Sequence, residues 1–219
     1  MGEAIVGFQR RSMKFSTSDA DTLRRIQLWR RDVRHFMTDA VPDDILGRLQ
    51  EAMDMAPSVG NAKPWRVVRV VDPQVRHDVR CEFERSNTQA ADDYQDQQQI
   101  AYRSLKLAGL DTAPVQLAIF TAVDPDAGHR LGRRTMPATL HQSVAMAIYA
   151  VWLAARAENL GLGMVSILDP ERMKTILNVG PDWDFAAYLC IGWPEFADDT
   201  PLLHRSGWQA NSRSVWEVR

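Results

Sequence analysis

Cysteine is scarce: Cys81 and Cys190 are the only two in 219 residues, they lie far apart, and neither stands in a C-x-x-C or histidine-rich setting. That excludes a disulfide framework and offers no zinc-ligand spacing. Neither sign of charge is in excess. Lys and Arg total 26 against 28 Asp and Glu, a formal net charge of -2, so the basic footprint of a nucleic-acid binder is missing. Long hydrophobic runs are also missing. The most apolar stretch, 144–155, carries no charge but falls well short of the ~20 residues that span a bilayer. The first residues contain Glu3 and at most three consecutive apolar positions, where an export signal has an apolar region of about 7 to 15. The expectation is a cytoplasmic protein with reduced thiols and neither membrane nor nucleic acid as partner. No GxxxxGK[ST], GxSxG, HExxH or strand-following GxGxxG is present, which removes the common phosphate-loop, serine-hydrolase, zincin and dinucleotide signatures. No internal repeat or low-complexity linker is visible.

What is present is a hydrophobic fraction of 45%, enough for one sizeable core, and a sequence of legible elements. Residues 1–17 have no sustained period and read as an N-terminal arm, leaving 18–219 as a single domain. Ser18 and Asp19 can cap a helix whose apolar positions Leu23, Ile26 and Trp29 recur every three residues. Pro42, Asp43 and Asp44 suit the start of a second helix with Ile45, Leu46, Leu49 and Met53 on one face. Strands are expected over 65–71 (buried), 115–122, 163–168 and 185–193. The polar, helical segment 74–108 includes a lid-like insertion at 86–108, and 195–219 forms a C-terminal tail whose Trp208 and Trp216 need somewhere to pack. Residues 140–160 read as a helix apolar nearly all round, to be covered on every side, one way being a subunit interface. Helices first, then strands separated by long helices, indicate an α+β layered protein.

Four short segments carry the chemistry. Arg30-Arg31-Asp32-Val33-Arg34 places three guanidiniums within five residues; they repel one another unless a phosphate dianion or a carboxylate joins them. The segment Pro57-Ser58-Val59-Gly60-Asn61-Ala62-Lys63-Pro64-Trp65 combines small, hydroxyl and amide groups with two prolines, a rigid loop able to line a planar heterocycle. Leu160-Gly161-Leu162-Gly163 precedes a late strand, and Ile191-Gly192-Trp193-Pro194 ends the last one. Each alone is compatible with an ordinary turn. Together and in this order they resemble the nitroreductase-like flavoproteins, over about residues 22–208.

That resemblance implies an α+β nitroreductase-like sandwich with a mainly antiparallel central sheet flanked by helices, and a homodimer holding FMN at its subunit interface. Residue by residue, it assigns Arg30 and Arg34 to the FMN phosphate and ribityl chain, Ser58 and Asn61 to the flavin, and Gly161 and Gly163 to close backbone approach to the ring. Arg205 falls where the family often has a late basic residue for the phosphate. Arg31, Val33 and Leu168 flank these positions and complete the expected cofactor-contacting set. Two departures stand out: Asp32 where ordinary members usually carry Ser, and Lys63 where they usually carry Gln before Pro-Trp. These, with Ser166 after the glycines and the 86–108 insertion, resemble a branch of the family in which reduced FMN is itself the substrate. There, dioxygen and reduced FMN yield 5,6-dimethylbenzimidazole and erythrose 4-phosphate, and a separate flavin reductase supplies the reduced flavin. Such chemistry removes a proton from the ribityl C1′, which is not acidic, so a base must stand beside it. Asp32 is the candidate base. Ser166 is the candidate donor to the ring, since a hydroxyl in an apolar strand is costly unless paired. His35 and His141 read as structural, and Met146, Tyr149 and Trp152 as core or interface. An FMN-recycling NAD(P)H-dependent nitroreductase and a non-catalytic flavin carrier are the competing readings.

Overall fold

The computed structural model describes residues 13–105 and 109–219, so most of the expected N-terminal arm and residues 106–108 of the insertion lie outside the described residues. The elements are α1 (Thr17–Trp29), α2 (Asp43–Asp54), β1 (Trp65–Arg69), α3 (Pro73–Asp92), α4 (Asp96–Ser104), β2 (Val115–Ala122), α5 (Thr139–Ala157), β3 (Gly161–Val165), α6 (Pro170–Ile176), β4 (Trp183–Gly192) and the single-turn α7 (Leu202–Arg205). The four strands form one antiparallel sheet in the order β1-β2-β4-β3. The architecture is α+β.

Because strand side chains alternate between faces, the two central strands feed two cores. Ile119 of β2 and Leu189 of β4 pack with α2 and α5. Their neighbours Ala118, Phe120, Tyr188 and Cys190 face the other way, toward Val79 of α3 and Met173 of α6. Removing a fully buried Ile or Leu side chain from such a layer costs about 2 to 5 kcal/mol.

Several sequence boundaries shift for identifiable reasons. The N-cap of α1 is Ser16, whose hydroxyl accepts from the Asp19 amide while the Asp19 carboxylate accepts from the Ser16 amide; Asp19 is therefore the third residue of a capping box and not the cap. No residue of α1 is buried within the chain. Segment 65–71 is not the buried strand its β-branched run predicts: β1 is an edge strand, and Val67 is exposed. Nor is α5 covered all round. Leu140, Val144, Ala147, Ile148, Val151 and Ala155 are buried, but Met146 and Tyr149 are exposed in the single chain. Finally, β3 begins at Gly161 and ends at Val165, two to three residues earlier than expected, which leaves Ser166 in an exposed loop just past the strand. Among the described residues no helix is long and apolar enough to cross a membrane.

Candidate active site

The segment after α1 is strapped to the open edge of the sheet. The Val33 amide donates to the Leu162 carbonyl (3.1 Å) in a parallel bridge beside β3, and Phe36 bridges Pro194. This strap explains the glycines. A Cβ on Gly161 would lie 2.8 Å from the Val33 side chain, and one on Gly163 would collide with the Val33 carbonyl oxygen. Within this chain, the close approach that the paired glycines permit is to Val33.

With the strap in place, Asp32 sits between two donors. Its Oδ2 accepts from Arg34 Nε at 2.8 Å and its Oδ1 from the Met164 amide at 3.0 Å. Asp32, Arg34 and Arg205 line one small cavity of about 70 Å³ together with Val33, His35, Phe196, Asp198 and Leu202. Arg205, far away in sequence, is aimed by an ion pair with Asp198 at 2.7 Å. Arg30 ends α1, its guanidinium 4.9 Å from the Trp152 ring centre and 5.7 Å from that of Tyr149. Its Nε is buried with no partner among the described residues, which leaves a donor to be satisfied by something else. Arg31 instead turns back to cap α1, donating to the carbonyls of Leu28 (Nε, 3.0 Å) and Gln27 (3.3 Å). Burial, then the neighbouring Arg30 charge, lowers its pKa. Two arginines and an anchored carboxylate in the wall of one cavity, with a buried unpartnered donor on nearby Arg30, make an environment for an anion carrying a proton to be removed.

The remaining expected residues lie elsewhere. Ser58 and Asn61 stand on a tight turn in which Gly60, Asn61 and Lys63 all have positive φ; the Ser58 hydroxyl accepts the Lys63 amide, and the Val59 amide donates to Ser143 near the start of α5. Arg30 stacks on Tyr149 and Trp152 of the same helix, six to nine residues further along, so the two groups are roughly 9 to 14 Å apart along its axis at 1.5 Å per residue. Leu168 is buried in the α3/α6 core, and Ser166 is exposed. Within the insertion, Tyr94 stacks on Tyr102 at 4.9 Å and Trp208 of the tail packs edge-on against Tyr94 at 5.5 Å, so Trp208 finds its packing on the insertion's helices.

Two anchoring carboxylates escape sequence reasoning. Asp198 sits in a polar tail with nothing to mark it. Glu82 lies in the run Arg80-Cys81-Glu82-Phe83-Glu84-Arg85, which reads as a solvated helix face, yet it is 2% exposed. Burial pushes its carboxyl up, but hydrogen bonds from Arg85, Ser86, the Asp169 amide and Arg172 outweigh that and hold its pKa near 2. Cys190 is also buried, and burial, followed by the Asp32 charge, pushes its thiol up to about 12; it stays protonated and inert. No group of three or more potential metal ligands occurs among the described residues.

Residues 28–193 match the model of the nitroreductase family. A 5,6-dimethylbenzimidazole synthase of Rhodobacter capsulatus is 57% identical over 207 residues, covering 94% of this chain and all of that protein. One from Rhodospirillum rubrum is 48% identical, covering 90% and 93%. Among solved structures, oxidised iodotyrosine deiodinase bound to FMN and 3-iodo-L-tyrosine superposes with a TM-score of 0.70 at 21% identity, covering 90% of this chain and 97% of that one. The family match, over most of the chain, and the two close relatives point the same way: this chain belongs to the nitroreductase family.

Proposed function

We propose that this chain converts reduced FMN and dioxygen into 5,6-dimethylbenzimidazole and erythrose 4-phosphate. The carrying observation is the placement of Asp32 in the wall of the same cavity as Arg34 and Arg205. An anion-binding set and a carboxylate fixed beside it suit a phosphate-bearing substrate that must lose a proton from the chain joining its phosphate to its ring. The shared name of the relatives at 48% to 57% identity supports the reading.

The residues fit FMN. Arg34 and Arg205 would receive the phosphate, and the orphaned Arg30 Nε supplies a further buried donor. Bound reduced FMN supplies both the electrons that dioxygen accepts and the carbon skeleton of the product. Asp32 is the base for the ribityl C1′ proton. Its anchors to Arg34 and the Met164 amide fix its direction while leaving lone pairs on both oxygens. Ser166, exposed just beyond β3, donates to the ring, and Arg31, Val33 and Leu168 shape the segments on either side. Ser58 and Asn61 contact the flavin from the turn after α2.

A homodimer completes the site, with FMN between subunits. In one chain Leu23, Leu28 and Trp29 of α1, Met146 and Tyr149 of α5, and Val215 and Trp216 of the tail are all exposed, apolar side chains that a second copy would cover. A separate flavin reductase delivers the reduced substrate. The test is mass analysis after mixing the protein with chemically reduced FMN in air. The expected result is benzimidazole in proportion to flavin lost, with oxidised FMN inert. Rapid NADH oxidation coupled to nitroarene reduction with FMN intact would establish a recycling nitroreductase instead, and stoichiometric binding without turnover a carrier.

A further inference from the structure

Glu82 takes no part in the chemistry above, yet its carboxylate is the most heavily satisfied side chain described near the site. Oε1 accepts from Arg85 Nη2 (2.7 Å), the Ser86 hydroxyl (2.7 Å) and the Asp169 amide (3.1 Å); Oε2 accepts from Arg85 Nε (2.9 Å) and Arg172 Nε (2.6 Å). Arg85 and Ser86 belong to α3, the helix that continues into the 86–108 insertion. Asp169 and Arg172 belong to the start of α6, where the Asp169 carboxylate is itself the N-cap. A buried carboxylate is retained at high desolvation cost only when every lone pair is used, and here the two it spends outside its own helix both grip the chain just after β3.

The segment so gripped is Ser166's. At one end the Met164 amide donates to Asp32; at the other the Asp169 amide donates to Glu82. Ser166 lies between two backbone amides, each held by a carboxylate, one from the cationic strap and one from the base of the insertion. We propose that Glu82 is a positioning residue for the flavin chemistry: it ties the Ser166 loop to α3, so that the placement of the insertion and the placement of the Ser166 hydroxyl are set together. The inference rests on the proposed function. Reduced flavin in air has two exits. One is fragmentation to the benzimidazole; the other passes two electrons and two protons to dioxygen, giving oxidised FMN and hydrogen peroxide. A hydroxyl displaced from the ring sends more of the flavin through the second.

The experiment uses full-length Glu82→Gln, Arg172→Ala and Arg172→Lys. Glu82→Gln keeps the volume but turns an amide N–H₂ toward groups that are themselves donors. Arg172, with its side chain mostly exposed, can be removed without opening the core, and Lys at that position restores the cation. With protein in excess over reduced FMN, benzimidazole per bound flavin should fall about fivefold in Glu82→Gln, a change equivalent to one lost hydrogen bond. Peroxide should rise to match, Arg172→Ala should show a smaller shift of the same kind, and Arg172→Lys should recover. The FMN dissociation constant should stay within about twofold in all three, because Arg34 and Arg205 are untouched. Should Glu82→Gln fail to fold, Arg172→Ala carries the test. Amide hydrogen exchange over residues 164–169 reads the positioning without reference to activity and should quicken about tenfold in Glu82→Gln or Arg172→Ala. Wild-type protein that makes no benzimidazole, alongside quickened exchange in the variants, would sink the proposed function and leave the positioning standing. Wild-type product yield and unchanged exchange in the folded variants would overturn the role of Glu82.

Discussion

The edge of the sheet at β3 and the turn at Ser58 are both built from small residues and both expected to face flavin, yet one chain finishes only the first. Around β3 the strap, the two glycines, Asp32 and Glu82 lock into one another with every carboxylate oxygen engaged. The turn is rigid as well, with Gly60 packed against Gly128 so closely that a Cβ would meet its carbonyl oxygen at 2.7 Å, but its outer neighbours Pro57, Met146 and Tyr149 border an open apolar depression on α5. A region that is rigid and still open is preorganised for a partner, whereas one that is rigid and closed is preorganised for a small anion. In the proposed dimer the first becomes the second subunit's contribution to the site.

The sharpest way to test the closed region is Asp32→Asn. Asparagine can still accept the Met164 amide through its oxygen, but it loses both the base and the ion pair to Arg34. If Asp32 takes the C1′ proton, product formation at saturating reduced FMN should fall by at least ~10², the usual loss on removing a general base. If its role is only to order Arg34, FMN affinity should weaken while the saturated yield stays near normal. Yields and dissociation constants measured on the same samples separate the two.

The same contrast explains what was legible in the sequence. Arg30, Asp32 and Arg34 could be read because their meaning is local: like charges two to four residues apart need an anion or a carboxylate. Arg205 was reached through family resemblance alone, because its aim depends on Asp198 and a fold that brings the tail beside the strap. Glu82 and the Met164 amide were invisible, since both act on partners more than eighty residues away. The observed boundary of β3 differs from the expected 163–168 for a related reason. Gly161 reads as lying just before the strand and Gly163 as its first residue, but β3 already starts at Gly161, whose missing side chain leaves the space that Val33 fills. The openness of α5 and α1 shows the converse: apolar periodicity announces that a face must be covered without saying which chain covers it.

Subunit complementation tests the open region. Arg34→Ala and Asn61→Ala proteins, each inactive alone, are unfolded or dissociated together and allowed to reassemble. If the strap and the turn of one site come from different chains, half the dimers are mixed and each has one intact site, so about a quarter of wild-type activity should return. No recovery, with mixed dimers verified by differential tagging and native mass analysis, would place both halves of the site within one chain and remove the contrast.

The smallest effect, and the most local, concerns the glycines. Gly163→Ala puts a methyl group against the Val33 carbonyl oxygen, a backbone atom that cannot rotate away, whereas Gly180 has nothing within 4 Å of a Cβ. Overpacking of this sort costs about 1 to 3 kcal/mol, and the strain must be relieved by moving the strap that carries Asp32 and Arg34. Gly163→Ala should therefore lower thermal stability and weaken FMN binding together, while Gly180→Ala should leave both within error. A Gly163→Ala protein with lowered stability but unchanged FMN affinity would mean that the strap adjusts without disturbing the cavity, and that the close packing of Val33 on β3 serves the fold alone.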